Sequence, residues 1–287
     1  MGCPAVSPSP AVRHALTMRP KRSVALLLLT ALSPALLGAC ATRPPADDPD
    51  AVAEFRQNND PIEPFNRGSF AVHQTIDKYA LAPVARGYRS VVPAPVRTGV
   101  RNVLANLRTP VVLVNDVLQG EPRRAGDTLG RFVVNSTLGV GGIFDVAGNR
   151  FGVRGHTEDF GQTFARWGVG EGPFLFIPVI GPSNPRDLTG FGLGVAADPL
   201  VWIGQGATVD ALLYGRTGAT VVDTREDLLE TTDDVERTSL DPYSTYRSAY
   251  RQRRRAQIEN RTGSDLPSGF GTGFGVAPSE PAGPGRR

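Results

Sequence analysis

The sequence predicts an all-α domain that is interrupted by one short irregular or hairpin insertion. Apolar residues recur at spacings of three and four through most of residues 61–258, which is the pattern of amphipathic helices. Prolines stand where helices are expected to begin, and no series of alternating segments indicates a β-sandwich or a barrel. The exception is residues 150–186, where glycines and prolines break the helical pattern.

Six segments carry the helical pattern, and three of them have start signals. We expect Pro95 to open one helix and Asp241-Pro242 to open the last. Thr109-Pro110 resembles an N-cap followed by a first-turn proline, so a separate helix is predicted to start there. The apolar residues of the segments are, in order, Val72, Ile76, Tyr79; Val96, Val100, Val103, Leu104, Leu107; Val111, Val114, Val117, Leu118; Ala125, Leu129, Phe132, Val133; Val209, Leu212, Leu213; and Tyr243, Tyr246, Tyr250.

Residues 1–39 have the layout of a bacterial export signal. Basic residues at positions 19, 21 and 22 precede an apolar stretch at 24–37, and Met18 is an alternative start. The stretch ends in Leu-Gly-Ala-Cys, which resembles the lipobox of bacterial lipoproteins, so Cys40 is predicted to be lipidated after cleavage. An aspartate directly after the lipidated cysteine resembles an inner-membrane retention signal. Here Ala41 occupies that position, and the missing aspartate favours the outer membrane. The open alternative is a secreted protein with a chance cysteine.

The remaining chain divides by composition into a tether, a domain and a tail. Residues 40–60 are polar and contain prolines, so they are predicted to form a lipidated tether. Residues 61–258 form the helical domain, and the Gly/Pro-rich residues 259–287 are predicted to be a disordered tail. Residues 1–39 hold four of the 31 basic residues and none of the 28 acidic ones. The mature chain is therefore close to neutral, which argues against a nucleic-acid partner.

Neither catalysis nor a bound cofactor is expected. Beyond the signal, the chain has only the histidines His73 and His156, and neither has a second ligand at metal-binding spacing. No G-x-S-x-G motif is present to support a hydrolase of the α/β class. We therefore predict no metal, no cofactor and no enzymatic activity.

The last predicted helix carries two features that each allow two interpretations. Its tyrosines at 243, 246 and 250 are favoured as core residues, and the alternative is a membrane-interface belt. Its four arginines are favoured as a solvated surface near the helix end, and the alternative is contact with anionic headgroups or an acidic partner. These arginines are Arg251, Arg253, Arg254 and Arg255.

A series of short motifs in the domain resembles the VacJ/MlaA family of outer-membrane phospholipid-transport lipoproteins. The first is Asp-Pro-Ile-Glu-Pro-Phe-Asn-Arg at 60–67. Further blocks follow in the family's order at 91–97, 115–120, 131–147, 159–173, 181–187 and 241–250, behind the lipobox. The resemblance covers about residues 60–255, and the glycine-rich tail lies outside it.

The resemblance implies a fold and a role that the composition does not give. The family's fold is a mainly helical, donut-like ring that lies in the periplasmic leaflet of the outer membrane and encloses a central polar channel. Phospholipid that has strayed into the outer leaflet leaves through the channel and passes to a periplasmic carrier, MlaC. Family members associate with trimeric porins. The implied location is the outer membrane, lipid-anchored on its periplasmic face.

Two site hypotheses follow from combining the resemblance with local sequence. The apolar run broken by Pro178 is predicted to form a non-helical ridge that faces acyl chains or lines the pore mouth; the alternative is a buried loop under the helices. The ridge residues are Phe174, Leu175, Phe176, Ile177, Val179 and Ile180. Gly139, Gly141 and Gly142 are predicted to hinge a loop that gates the channel.

Two other functions stay open from the sequence alone. A phospholipase at the same membrane face would have to use His73 or His156 as its base. A structural lipoprotein that braces a porin would need no channel. The preferred headgroup, the porin and the direction of net transport are not encoded in any pattern that the sequence shows.

Overall fold

The computed structural model describes residues 47–260, apart from residues 203 and 205. All described residues belong to one compact unit of the chain. The predicted signal peptide, Cys40 and the tail beyond residue 260 lie outside the described residues. The prediction of a helical domain with a short hairpin is confirmed, since one two-stranded sheet accompanies the helices of the described part.

The secondary-structure elements follow one another with short connections. The helices are α1 (Pro49–Asn58), α2 (Glu63–Ile76), α3 (Ala82–Val91), α4 (Ala94–Leu118), α5 (Pro122–Thr137), α6 (Val146–Phe151), α7 (Phe160–Arg166), α8 (Pro185–Ala196), α9 (Pro199–Trp202), α10 (Ala207–Asp227), α11 (Leu229–Thr238) and α12 (Pro242–Ile258). A π-turn at Asp77–Leu81 joins α2 to α3. Strands β1 (Leu175–Ile177) and β2 (Gly181–Ser183) pair antiparallel between α7 and α8.

Local sequence explains where several helices start, with one error. Asp145, Asp159, Asn184 and Asp241 each cap a helix by accepting a hydrogen bond from a first-turn N–H, as short polar side chains do. The predicted start of the last helix at Asp241-Pro242 is confirmed. The predicted break at Thr109-Pro110 is wrong, because α4 runs through Pro110 without interruption. Packing of α4 against α5 and α10 overrides the local proline signal.

The predicted insertion at 150–186 is only partly irregular. It contains helix α7 as well as the β1–β2 hairpin. Helix α7 packs closely on α8 because glycines meet at the crossing: a Cβ on Gly190 would lie 2.2 Å from the backbone nitrogen of Gly161. The sequence pattern missed α7 because it is only seven residues long.

One fully buried asparagine joins the start of the domain to the hairpin. The Asn66 side-chain amide donates to the Asp60 carboxylate at 2.7 Å and to the carbonyl of Phe174 at 2.9 Å. Its side-chain oxygen accepts the N–H of Phe176 at 2.9 Å. The Asp60 carboxylate also accepts hydrogen bonds from Tyr243 and, at 2.8 Å, from Arg247 on α12. The opening motif of the domain therefore holds three distant segments together.

The apolar faces of several helices point outward. Val72 and Tyr79, Leu129 and Val133, and Leu212 belong to the apolar stripes of three different helical segments, yet all five are 49–74% exposed. The buried faces of the same region carry polar and charged side chains, including Asn106, Asn115, Asp116, Asn135, Asp223 and Glu226. This distribution is the reverse of a water-soluble helical bundle, whose apolar stripes face the core. No helix of the described residues combines the length and hydrophobicity needed to cross a membrane.

Replacing Asn66 by alanine is expected to destabilise the fold by about 3 kcal/mol, because it removes one hydrogen bond from the buried Asp60 carboxylate and leaves the carbonyl of Phe174 and the N–H of Phe176 without their Asn66 partner. Asn149→Ala, at an exposed position of α6, is the matched control and should change stability by less than about 0.5 kcal/mol. Chemical unfolding in detergent, followed by circular dichroism, measures both. Equal stability of the two variants would contradict the joining role of Asn66.

Candidate functional site

Two cavities lie along adjoining faces of α4. One has a volume of about 90 Å³ and the other of about 360 Å³. Arg108, from α4, and Thr157, from the segment before α7, line both of them. The two cavities therefore share a wall, and α4 with this segment separates them.

Most of the residues that line the smaller cavity have polar or charged side chains. Amide and hydroxyl side chains from α4 and α5 supply much of its wall, and charged groups are held in pairs. The neutral residues are Asn102, Asn106, Thr109, Thr128 and Asn135. Arg131 donates to Asp145 at 3.0 Å, and Arg101 donates to Asp223 and Glu226 of α10 at 3.1 Å each. We refer to this space as the polar cavity.

The larger cavity is amphipathic. Its apolar lining comes from α4, α8, α9 and α10 through Leu104, Val111, Phe191, Val195, Val201 and Leu213. The lining also carries the charged residues Asp159, Asp187, Asp198, Arg216 and Arg254. A cavity with both apolar and charged lining suits an amphiphile, which has an apolar chain and a polar headgroup. We refer to it as the amphipathic cavity.

Arg254 organises the charged side of the amphipathic cavity. Its guanidinium binds both oxygens of Asp159 at 2.7 Å and contacts Asp187 at 2.8 Å. Burial opposes the ionisation of both aspartates, but the charge and hydrogen bonds of Arg254 outweigh it and hold their pKa values below the usual range. Tyr250 donates to Asp187 at 2.5 Å and accepts from Asn184 at 2.9 Å. These contacts fix the N-termini of α7 and α8 against α12.

A buried acidic cluster lies behind the polar cavity and escaped the sequence analysis. Atoms of Asp116, His156 and Glu158 lie within 4.8 Å of one another, close enough to hold a cation. Nε2 of His156 is 2.9 Å from Asp116. The carboxylates are already engaged, because Arg124 contacts Glu158 and Thr128 donates to Asp116 at 2.6 Å. Burial raises the pKa of Glu158 despite its hydrogen bonds and the Arg124 charge.

The predicted ridge does not face outward as a unit, and the assignment of its two phenylalanines is wrong. Phe174 and Phe176 are 2% and 1% exposed and pack with Tyr243 and Tyr250 in an apolar core cluster. Phe176 is the central residue of β1 and Phe174 directly precedes the strand, so both point to the same, inner side, where the ring centroids of Phe70 and Phe176 are 5.1 Å apart in an edge-on contact. For these two residues the buried-loop alternative holds.

The other ridge residues lie on the outside of the hairpin or beside the amphipathic cavity. Leu175 and Ile177 are half-buried, Val179 is 41% exposed at the hairpin tip, and Ile180 lines the amphipathic cavity. Val179 has a φ of 70°, which is unusual for a β-branched residue. Its N–H donates to Nδ1 of His73 at 3.1 Å, and burial lowers the pKa of His73.

The predicted gating glycines form a tight turn against the polar cavity. A Cβ on Gly139 would lie 2.3 Å from a backbone oxygen, and one on Gly142 would lie 2.6 Å from the side chain of Asn106, which lines the cavity. Gly141 has a φ of 69° and open space around it. Val140 has a φ of 53°, so the turn holds a strained β-branched residue. Gating itself stays a prediction.

For the last helix, the favoured interpretation holds for the tyrosines but not for all of the arginines. The tyrosines form core, as favoured, since all three are buried. The arginines are not a uniform solvated surface: Arg254 is buried in its ion pairs, and Arg251 bridges to Glu171 at 2.9 Å, while Arg255 is exposed. Their acidic partners are distant in sequence, so spacing alone gave no signal of this.

Comparison with known proteins gives the family. The sequence model of the MlaA lipoprotein family matches residues 58–257. This chain belongs to the MlaA family. It is 35% identical over 226 residues to the intermembrane phospholipid transport system lipoprotein MlaA of Escherichia coli K12, which covers 78% of this chain and 84% of that protein. The Haemophilus influenzae protein of the same name is 33% identical over 220 residues, or 76% and 86% of the two chains.

A solved structure and a further relative agree with this membership of the MlaA family. The structure, described as "Structural basis for maintenance of bacterial outer membrane lipid asymmetry", matches with a TM-score of 0.61 and 34% identity. The match covers 69% of this chain and 98% of that one. An uncharacterized protein of Rickettsia bellii is 36% identical over 205 residues, covering 71% and 78% of the two chains. The chain thus has the MlaA fold.

The aspartate–arginine contacts beside the amphipathic cavity predict a loss of stability in acid. A carboxylate whose pKa is lowered by folding stabilises the fold above its unfolded pKa of about 3.9, and this contribution disappears as the pH falls through the folded pKa. Asp159→Asn should destabilise the protein by about 2 kcal/mol at pH 7 and should reduce the difference in unfolding free energy between pH 7 and pH 3.

The exposed Asp127 of α5 provides the control, because Asp127→Asn changes the same chemical group on the surface. It should leave both the stability at pH 7 and the difference between the two pH values near those of the unmodified protein. The unfolding free energies of both variants, measured at pH 7 and pH 3, test these expectations. If Asp159→Asn had the same pH dependence of stability as the unmodified protein, folding would not lower the pKa of Asp159.

Proposed function

We propose that this protein is an outer-membrane lipoprotein that removes mislocalised phospholipids from the outer leaflet through a polar passage. It hands them to a periplasmic carrier of the MlaC type and so maintains the lipid asymmetry of the outer membrane. Its helices form a ring in one leaflet, and the space around α4 is the passage. The observation that carries the proposal is the reversed polarity of the fold, with apolar helix faces outside and charged residues inside.

The outward apolar faces suit the acyl region of a leaflet. Full burial of a leucine or valine side chain contributes about 1.5–3 kcal/mol, so covering the exposed halves of about ten such residues contributes on the order of 10 kcal/mol. An acyl anchor on Cys40, which lies outside the described residues, would add to this. Together these contacts hold the protein at the periplasmic face of the outer membrane.

The two cavities suit the passage of an amphiphile. A charged headgroup that enters hydrocarbon without partners meets a barrier of several kcal/mol. The polar cavity offers amides, hydroxyls and arginines to such a group, and the amphipathic cavity offers an apolar wall to the chains. A passage of this kind lowers the barrier without covalent chemistry, so no catalyst and no cofactor are needed.

The names of the relatives support the same role. The Escherichia coli and Haemophilus influenzae relatives are named as lipoproteins of an intermembrane phospholipid transport system. We transfer that role to this chain because the match covers its helical domain. A soluble carrier of the MlaC type as acceptor and a trimeric porin as neighbour are partners implied by the family resemblance.

The geometry gives less support to the two alternatives, a phospholipase and a structural brace of a porin. In a hydrolytic triad the histidine contacts the acid with one ring nitrogen and the nucleophile with the other. Here Nε2 of His156 faces both Asp116 and Thr128, and the Thr128 hydroxyl donates to Asp116 rather than to the histidine. A purely structural brace of a porin would have no use for an amphipathic cavity between α4, α8 and α10.

Lipid transfer from liposomes to a carrier tests the proposal directly. The purified, lipidated protein is placed in liposomes with a lipid-free carrier of the MlaC type, and lipid-loaded carrier is detected by mass spectrometry. We expect loading to depend on the protein. Loading at the protein-free rate would contradict transport, whereas release of fatty acid or lysolipid would point to the phospholipase.

Charges on the outward face of α5 should weaken membrane binding without unfolding the protein. Leu129 and Val133 are about half exposed, and aspartate in hydrocarbon is strongly disfavoured. In a Cys40→Ser background, which removes the proposed anchor, Leu129→Asp with Val133→Asp should reduce liposome flotation at least tenfold. Ser248→Asp, at an exposed position of α12, is the control. Undiminished flotation of the double variant would contradict membrane contact by α5.

A proline at the hinge of the proposed gate should slow lipid transfer. Proline cannot adopt the positive φ of Gly141, and it removes the N–H that donates to Ser136 at 3.0 Å. We expect Gly141→Pro to lower carrier loading at least tenfold in a protein with normal helix content. Gly120→Pro is the matched control, since Gly120 also has a positive φ and donates its N–H in a turn. If the Gly141→Pro variant and the unmodified protein loaded the carrier equally, the gating hypothesis would be wrong.

A further inference from the structure

The turn at the end of α6 presents two arginines and a phenylalanine to the surface. Arg150, Phe151 and Arg154 are all exposed, and the Phe151 side chain is 63% exposed. Within residues 47–260, apart from 203 and 205, neither arginine takes part in a hydrogen bond or an ion pair. We refer to these three residues as the basic turn.

The backbone of the basic turn is held in place from both sides. Gly152, with a φ of 67°, ends α6 in the left-handed conformation that glycine tolerates, and its N–H donates to the carbonyl of Gly148 at 3.2 Å. The N–H of Val153 donates to the carbonyl of Ala147 at 3.1 Å, and Arg131 of α5 donates to the carbonyl of Val153. The three exposed side chains therefore project from a fixed backbone.

The basic turn carries positive charge that its own segment does not balance. No acidic residue occurs between positions 146 and 157. Asp145, directly before α6, is already bound by Arg131 at 3.0 Å and by the side-chain amide of Asn135 at 2.9 Å. The two exposed guanidinium groups are therefore complementary to a negatively charged surface outside the chain.

The phenylalanine indicates which kind of negative surface fits. Its ring has no polar group to offer to an acidic side chain, and it is stabilised where headgroups meet acyl chains. An arginine can place its guanidinium at the level of lipid phosphates while its stem lies along apolar surface. Helix α6 also packs on α5, whose exposed Leu129 and Val133 belong to the proposed lipid contact. A membrane surface therefore suits the basic turn better than an acidic protein.

We propose that the basic turn docks on a membrane surface that contains anionic phospholipids, with Phe151 inserted below the headgroups and Arg150 and Arg154 beside the phosphates. This contact holds the end of α6 at the surface of the leaflet and is separate from any lipid in the two cavities. The inference rests on the membrane location in the proposed function and adds the class of surface that the protein's exterior recognises. Each basic residue close to an anionic bilayer strengthens binding about fivefold, so two arginines are expected to strengthen it at least tenfold.

Flotation with liposomes of two compositions tests the contact. The Cys40→Ser protein, which lacks the proposed anchor, is mixed at low ionic strength with liposomes of phosphatidylcholine alone or of phosphatidylcholine with phosphatidylglycerol. We expect at least tenfold tighter binding to the anionic liposomes, and added salt should weaken this preference. Arg150→Gln with Arg154→Gln should lower the preference at least fivefold, because the charges that meet the phosphates are gone.

Two further variants separate the parts of the contact. Arg123→Gln with Arg255→Gln is the matched control: it removes the same charge from exposed arginines of α5 and α12 that have no hydrogen bond or ion pair among the described residues, and it should keep the preference. Phe151→Ser should weaken binding to both kinds of liposome by a similar factor, because it removes insertion and leaves the charges. All variants should keep the unmodified helix content in circular dichroism, since the replaced side chains are exposed.

The outcomes distinguish this inference from the proposed function. An unchanged preference in the double variant of the basic turn would overturn the docking and leave an acidic protein surface as the partner, and an equal loss in the control pair would also overturn it. If the protein bound both kinds of liposome equally but still loaded a carrier, the inference would be wrong and transport would stand. If it preferred the anionic liposomes but failed to load a carrier, transport would be wrong and the membrane contact would stand.

Discussion

The fold depends on pairing charges in a polar interior. Asp77 in the π-turn binds Arg225 of α10 at 2.6 and 2.7 Å, and Arg254 ties α12 to the N-termini of α7 and α8 through Asp159 and Asp187. In lipid, apolar side chains gain nothing by turning inward, so helices associate through polar contacts and small residues instead. The crossing of α7 and α8 at Gly161 and Gly190 is such a contact between small residues. The principal apolar core that the described residues show lies under the hairpin, where Phe174 and its neighbours pack.

In the proposed function, the reversed polarity makes this interior a passage. Charged and amide groups that line the space between helices would accept a headgroup, and the apolar exterior would meet the chains of the leaflet. The same arrangement explains why arginine–carboxylate pairs surround both cavities: each buried charge needs a partner, or its removal from water is strongly unfavourable. Arg101, for example, lines the polar cavity and is bound by Asp223 and Glu226 of α10. In the proposed function, the same residues therefore provide both stability and a path for polar groups.

The helix content could be predicted from the sequence, but the direction of the helix faces could not. The prediction of a tether at 40–60 is wrong for its second half, because residues 49–58 form helix α1 and Asp60 is buried. Periodicity marks Leu129 and Val133 as one stripe, and it does not say whether the stripe meets core or lipid. The same limit misled the assignment of Phe174 and Phe176, since the two-residue alternation of a three-residue strand is too short to detect. The acidic cluster around His156 and the partners of Arg254 escaped because their members are brought together only by folding. The opening motif at 60–67 was recognised by resemblance, and its physical reason, the buried Asn66, became visible only in the structure.

The central claim is that outward helix faces contact lipid while the space beside α4 is wet. Single-cysteine variants in liposomes test it, with Cys40 blocked by its lipid and reaction with a charged, membrane-impermeant thiol reagent as the readout. Val133→Cys and Leu212→Cys should react at least tenfold more slowly than Ser248→Cys, whereas Ala105→Cys in the polar cavity should react readily. Rapid reaction at positions 133 and 212, or protection at position 105, would contradict the account.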